Sequence, residues 1–297
     1  MEENAYLPQP NVTLTVTELA ESETNEVLAF LSERPVHTVC MTGMIRDNGL
    51  VSEHNRGTFY ACRNSEGRLE GVALIGHATL IETRTRGAIH EFALTAQIHD
   101  RLHMIMAEQE KVEEFWNHYA DEGQAMRLAC RELLFELKTP LENRSESEGL
   151  RLATIDDLHL VAPVHAAMAE AESGINPLEK DREGFLNRCA RRINKNRVWV
   201  LVKDGRLIFK ADIQAETPEV IYLEGVYVAS EERGSGIGRR CFTELCQSLL
   251  TRTRSICVLV NEENEKAHAF YRMCGFRRIS NYDTIFLKRE DKMGAVN

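Results

Sequence analysis

Gly234, Gly236 and Gly238 alternate within Arg233-Gly-Ser-Gly-Ile-Gly-Arg239, between a strand pattern and a helix pattern. The run Val220–Val228 is β-branched and aromatic and reads as a strand. Ile237, Cys241, Leu245 and Leu249 recur every fourth residue, as on one face of a helix. A chain that leaves a strand through glycines and enters a helix aims free backbone N–H groups, and the positive end of the helix dipole, at one point. Such a point binds phosphate. The competing reading is a glycine-rich turn that only joins strand to helix.

Two phosphate motifs fail on spacing. A Walker loop ends in Gly-Lys followed by Ser or Thr, whereas Arg239-Arg240 follows Gly238. A dinucleotide fingerprint needs G-x-G-x-x-G and a later acidic residue, and none closes the strand at Ser255–Val260. What remains resembles the R-x-x-G-x-G pyrophosphate loop of the GNAT N-acetyltransferase superfamily, preceded by that family's Val-x-Val strand end (Val226, Val228). Downstream, Ile256–Val260 reads as a buried strand. It is followed by Asn261, Asn264, the stripe Ala267/Phe270/Tyr271/Cys274 and Gly275-Phe276, an order similar to the second GNAT segment. Gly275 suits the left-handed position after a helix. The resemblance covers roughly residues 149–289.

The resemblance implies an acetyl-CoA-dependent transferase in which an amine attacks the thioester directly. Backbone N–H groups of Gly234, Ser235, Gly236, Ile237, Gly238 and Arg239 would cradle the pyrophosphate, with Arg233 adding a charged contact. The pantetheine arm would bond main-chain groups at Val226, Tyr227 and Val228 like an added strand, and one of those N–H groups could polarise the thioester carbonyl. Tyr271 takes the place of the family's general acid, and a phenol titrating near 10 stays neutral at pH 7; the alternative is a core tyrosine. Asn264 is an N-cap, a cofactor contact or both, and Asn261 is a further contact with the arm. Glu224 is the candidate base, because a carboxylate inside an apolar strand is costly unless paired or functional; it could equally turn outward or pair with an arginine. Asp212 and Glu216 are alternatives for binding a cationic acceptor.

Composition sets the bounds. The 297 residues suffice for two domains, and 43% hydrophobic with 28% charged residues fits a soluble globular protein. No apolar run approaches the roughly 20 residues of a membrane span, and the acidic N-terminus lacks a signal peptide's pattern. Eight dispersed cysteines without C-x-x-C spacing argue against a metal site or disulfide framework and for a cytoplasmic location. Residues 1–148 carry 13 basic against 25 acidic residues, a balance of −12, while the remainder stands at +2. Nucleic acid is therefore not an expected partner, and the near-neutral half suits an anionic cofactor. A homodimer stays open.

The elements that must position these residues divide the chain into 1–144 and 149–297, with a polar linker at Leu141–Gly149. In the second part the expected order is strand (Leu150–Ala153), helix (Ile155–Glu172), helix (Leu178–Asn194), then a hairpin around Asp204-Gly205. The glycine-loop strand and helix, strand 256–260, the Asn/Tyr helix and strands Arg277–Asn281 and Thr284–Leu287 follow. This is an α/β mixed sheet flanked by helices, the GNAT fold. The first part repeats the order without residue-level similarity, which suggests a degenerate GNAT-like copy in tandem, though an unrelated α/β domain fits as well. It has Thr83-Arg-Thr-Arg-Gly-Ala88 where the glycine loop would fall, so no acyl-CoA site of the usual kind is expected there. Arg188, Arg191, Arg192 and Lys195 form one basic helix face, read as solvated or as docking the acidic half. His165 and His268 receive no role. A non-catalytic acyl-CoA-binding or regulatory protein is the alternative to an enzyme.

Overall fold

The structure, a computed structural model, describes residues 13–99, 102–140 and 148–288. The first half of the chain forms β1 (Leu14–Glu18), α1 (Thr24–Leu31), α2 (Pro35–Asn48), β2 (Gly57–Asn64), β3 (Leu69–Gly76), β4 (Ala78–Thr83), α3 (Arg86–Gln97), β5 (Met104–Glu108), α4 (Gln109–Tyr119) and β6 (Met126–Leu137). The second forms β7 (Leu150–Leu152), α5 (Leu158–Ser173), α6 (Pro177–Lys180), α7 (Arg182–Asn194), β8 (Val198–Lys203), β9 (Arg206–Glu216), β10 (Val220–Val228), α8 (Ile237–Leu249), β11 (Ser255–Asn261), α9 (Glu265–Met273) and β12 (Arg277–Leu287). Of the expected linker, only Glu148 and Gly149 lie within the described residues, in a turn.

Chain contacts define two compact units. One is drawn from Met1–Glu33, Met44–Ala129 and Asp283–Asn297; the other, from Arg34–Gly43 and Cys130–Tyr282. In the first unit the strand order is β1-β2-β3-β4-β5, with β4 and β5 parallel. Its core joins α3 (Ala88, Ile89, Phe92) and α4 (Val112, Phe115, Tyr119) to Ala73, Ile81 and Ile105 on the strands. In the second unit the order is β6-β11-β10-β9-β8-β7, antiparallel except for the β10–β11 pair. This unit carries a core on each face. Phe135, Phe209, Ile213, Ile221 and Val258 pack against α8 and α9, whereas Val198 and Val200 pack against Val161 of α5 and Ile193 of α7. Strand alternation separates the two sets.

Local chemistry accounts for the elements that frame the site. At the β8–β9 hairpin Asp204 (φ 49°) and Gly205 (φ 72°) both take left-handed conformations, as a tight two-residue turn requires. The helix expected over Leu178–Asn194 is interrupted, because Asp181 leaves helical geometry and its side chain accepts from Gly184 N at 2.9 Å, starting a new helix. β6 begins at Met126, seven residues before the expected Leu133, and β12 runs unbroken through the gap expected at residues 282–283.

Before α5, Thr154 and Asp157 form a capping box in which Asp157 Oδ2 accepts from Thr154 N at 2.7 Å. Arg151 adds a two-pronged contact to the same carboxylate at 2.7 and 2.9 Å. The Arg151 hydrogen bond, with help from Thr154 and against burial, holds Asp157 down to about 2 from 3.8. A depressed folded-state pKa contributes stability that is complete above the unfolded value and lost as pH falls through the folded one. Asp157→Asn should therefore cost about 1–2 kcal/mol at pH 7. In urea titrations its deficit against the parent protein should shrink progressively between pH 4 and pH 2.

Candidate active site

β10 and β11 pair in parallel at Val220↔Ser255, Ile221↔Ile256 and Tyr222↔Cys257, and then part. β9 covers the outer edge of β10 as far as Val228, and β6 covers the outer edge of β11 as far as Asn261. Between Leu223–Val228 and Val258–Asn261 the facing edges bond to no other strand among the described residues. The result is a fork lined by main-chain N–H and C=O groups, and a peptide-like ligand arm can satisfy them. A bulge between Glu224 and Tyr227, with Gly225 at φ 60°, bends β10 inside the fork. Val226, Tyr227 and Val228 lie on this open stretch.

The glycine loop closes one end of the fork. Gly234 and Gly236 both take φ 83°, and Gly236 is the cap residue before α8. Gly238 serves a different need: a Cβ there would lie 2.6 Å from Val228 Cγ2, so its absence lets α8 seat on β10. Arg240 N makes the first helical bond, to Gly236 O at 3.1 Å, and Ser235 Oγ accepts from Ile237 N at 3.3 Å. The N–H groups of Gly238 and Arg239 thus stand ahead of the first intrahelical bond, with no acceptor among the described residues. Arg233 Nε donates to Val228 O at 3.1 Å, so its guanidinium is tethered beside the strand end. These features fit a diphosphate.

On the α8/α9 face, Tyr271 is buried among Phe135, Phe242, Phe270 and Phe276. Burial, followed by the Cys246 and Cys274 thiols, pushes its phenol well above the usual range, which keeps it a neutral proton donor at pH 7. Its hydroxyl takes no hydrogen-bond partner among the described residues. Asn264 caps α9 by accepting from Ala267 N at 3.1 Å, and Asn261 Oδ1 accepts from Glu263 N at 2.8 Å. Both asparagines order the turn that launches the tyrosine helix. His268 belongs to the same turn, its Nε2 lying 2.9 Å from Asn261 O.

The opposite face carries a buried ionic network that sequence reasoning missed. Lys210 and Asp212 are both fully buried, with Lys210 Nζ 2.6 Å from Asp212 Oδ2. Arg192 Nη1 donates to Glu224 Oε1 at 2.8 Å and to Asp212 Oδ2 at 3.3 Å, while Nη2 donates to Gln214 Oε1 at 2.6 Å. Arg192 therefore leaves the solvated or docking face expected of it and turns into the unit. Glu224 takes the paired alternative; its Oε2 has no partner among the described residues. Asp212, sealed inside, is not placed to meet an acceptor, and Glu216 pairs with Arg252 at 3.0 Å. Burial works to raise Asp212's pKa, but Lys210 and then Arg192 outweigh it and hold the carboxylate below its ordinary range. Burial, followed by the Lys210 and Arg192 charges, drives His165 down to about 3, so this imidazole is neutral. Glu172, at the end of α5, is pushed up to about 7 by desolvation and then by the Glu224 and Glu132 carboxylates.

The other unit repeats the fork without its loop. β4 and β5 also pair through three positions, Ala78↔Met104, Thr79↔Ile105 and Leu80↔Met106. At the β4–α3 corner Thr85 caps the helix by accepting from Ala88 N at 3.3 Å, in place of a glycine cradle. A cavity of about 190 Å³ remains there, lined by Thr83, Arg84, Arg86 and Lys111 among others. Lys111 is neutralised by Glu82 at 2.8 Å and Glu108 at 3.0 Å.

A parallel fork, a bulged strand and a glycine-capped helix belong to a mixed α/β fold of GNAT type. Residues 164–276 match the sequence model of the family described as Acetyltransferase (GNAT) family. No curated protein matches the chain. Among solved structures, a GNAT-family acetyltransferase from Colwellia psychrerythraea superposes with a TM-score of 0.59 at 13% identity, over 93% of this chain and 100% of its own. A tandem GNAT protein from the clavulanic acid biosynthesis pathway gives 0.58 at 14%, over 94% and 100%. A Drosophila protein gives 0.68 at 14%, over 92% and 98%. At these identities the likeness is one of fold, and it extends over the first half of the chain, which is also GNAT-like. Among the described residues no group of His, Cys, Asp or Glu is arranged to hold a metal.

Gly225 links the bulge to the network beneath it. A Cβ there would lie 2.8 Å from Lys210 Nζ and 2.9 Å from Asp212 Oδ2. Lys210 cannot retreat without leaving the buried Asp212 carboxylate to its longer contact with Arg192 alone. Gly225→Ala should thus cost roughly 2 kcal/mol or more. Gly67→Ala, at φ 79° with open space around it, should cost only about 1 kcal/mol. Paired urea denaturation curves give both values.

Proposed function

We propose that the protein transfers an acetyl group from acetyl-CoA to a primary amine by direct attack of the amine on the thioester. The observation that carries this reading is the β10–β11 fork with the Gly234–Gly238 loop at its end: an unpaired main-chain edge ending in free helix N–H groups. Gly234 through Arg239 receive the diphosphate with Arg233 alongside. Val226, Tyr227 and Val228 hold the pantetheine arm, aided by Asn261 and Asn264. An N–H of the bulge faces the negative charge that develops on the carbonyl oxygen. Tyr271 protonates the departing thiolate from one face, and Glu224 takes the amine's proton from the other, directly or through water, using the oxygen that Arg192 leaves free. Glu132, with a Glu172 only partly ionised near pH 7, adds negative charge near Glu224 and favours a cationic acceptor. The stretch 1–144 acts as a non-catalytic partner domain, since its own fork lacks the glycine cradle.

With this reaction we infer a cytoplasmic location, which eight dispersed cysteines without C-x-x-C spacing support. No helix among the described residues is long and apolar enough to cross a membrane. One observation favours the non-catalytic alternative: the proposed base is ion-paired to Arg192, which weakens it as a proton acceptor. Coenzyme A binding without transfer to any amine would decide for that alternative.

Purified protein with acetyl-CoA should release free thiol when offered a panel of small amines, amino acids, aminoglycosides and lysine peptides. Tyr271→Phe should lower kcat about 100-fold while calorimetry gives an unchanged Kd for coenzyme A. Unaltered turnover in that variant removes Tyr271 from the mechanism.

A further inference from the structure

The segment Arg34–Gly43 belongs by sequence to the first half of the chain and by contact to the unit that holds the proposed site. It forms the start of α2, and three of its residues locate it against the strands. A Cβ at Gly43 would lie 2.8 Å from Ala215 Cβ, so the helix touches the β9 backbone beside Tyr222, the residue paired with Ala215. At the other end His37 Nδ1 lies 2.9 Å from Tyr282 Oη on β12. Between them, Cys40 is half-buried. Its thiol is pushed up to about 12 by burial and then by the Glu224 carboxylate. Cys40 in turn raises the titration of Tyr222 and Cys257, the last paired residues before the fork opens, after the larger effect of burial on each. The helix therefore crosses the sheet at the apex of the fork.

It crosses on the face that an acceptor must use. The other face is filled by α8, α9 and the aromatic cluster around Tyr271, whereas Glu224 shares its face with Asp212 and with Arg192 of α7. α7 through Arg192, the start of α2 through Cys40 and the end of α5 through Glu172 all stand near Glu224 on this face. We propose that Arg34–Gly43 forms the acceptor-side wall of the site and that the side chain at Cys40 limits the width of amine that reaches Glu224. This inference rests on the acetyltransferase reading. It assigns the first half of the chain a part in choosing the acceptor, and it leaves donor binding to the glycine loop alone.

Full-length Cys40→Ala, Cys40→Phe and Cys40→Ser proteins test it with propylamine, benzylamine and a lysine peptide. The readout is the ratio of kcat/KM for the widest to the narrowest amine that the parent protein accepts, alongside the Kd for coenzyme A. Cys40→Ala should raise the ratio and Cys40→Phe lower it, each by about tenfold, with Cys40→Ser near the parent and the coenzyme A affinity unchanged in all. Should Cys40→Phe fail to fold, the rise in Cys40→Ala carries the test. A ratio unmoved in every folded variant, or one that moves only together with coenzyme A affinity, overturns the wall while leaving the acetyltransferase reading intact. A parent protein that transfers acetyl to none of the amines overturns that reading and this inference together.

Discussion

The parting of β10 from β11 is the constraint on which the rest of the structure turns. A sheet that stops pairing in its interior leaves two rows of polar backbone groups facing each other, and such groups are costly when dry. The molecule covers the outer edges with β9 and β6, bends β10 by a bulge, and ends the opening at a helix whose first N–H groups lack internal acceptors. Each measure leaves the inner edges of β10 and β11 unpaired beyond Tyr222 and Cys257.

Two unlike layers hold the fork in shape. One is apolar: Phe242, Tyr271 and Phe276 fill the space under α8 and α9 and fix the phenol in a dry setting. The other is ionic. Lys210, Asp212, Arg192 and Glu224 carry two charges of each sign within hydrogen-bonding distance, so the interior bears no net charge. Such a network adds little to stability against an apolar core of equal volume. What it adds is position, because Gly225 lies directly over Lys210 and Asp212 and the bulge cannot shift without disturbing both.

Sequence made the glycine loop legible and the ionic network obscure, for a physical reason. Gly234, Gly236 and Gly275 occupy left-handed positions at φ 83°, 83° and 90°, and Asp204-Gly205 builds a turn that few other pairs can build. These demands are local, so residue type reports them. The ionic network is not local. Arg192 stands in a helix face with Arg188, Arg191 and Lys195, and nothing in that spacing distinguishes the one residue that turns inward. Lys210 and Asp212 alternate with Phe209, Ala211 and Ile213, a pattern that also describes a strand with one wet face. Only the packing of α5 and α7 makes that face dry.

The same reasoning applies to the interleaving of the chain. The order of elements in the two halves was readable because hydrophobic period changes sharply between strands and helices. The membership of the units was not, since strand pairing over a hundred residues leaves no trace in either partner. Cys130–Leu137 pairs with β11 in the unit built mainly from the second half, and Arg34–Gly43 lies in that unit too. A chain folded this way cannot form the second unit from the second half alone, because β11 would lose its partner on one edge and the unit would lose Arg34–Gly43. The first half thus supplies a strand and a helix start to the unit built mainly from the second.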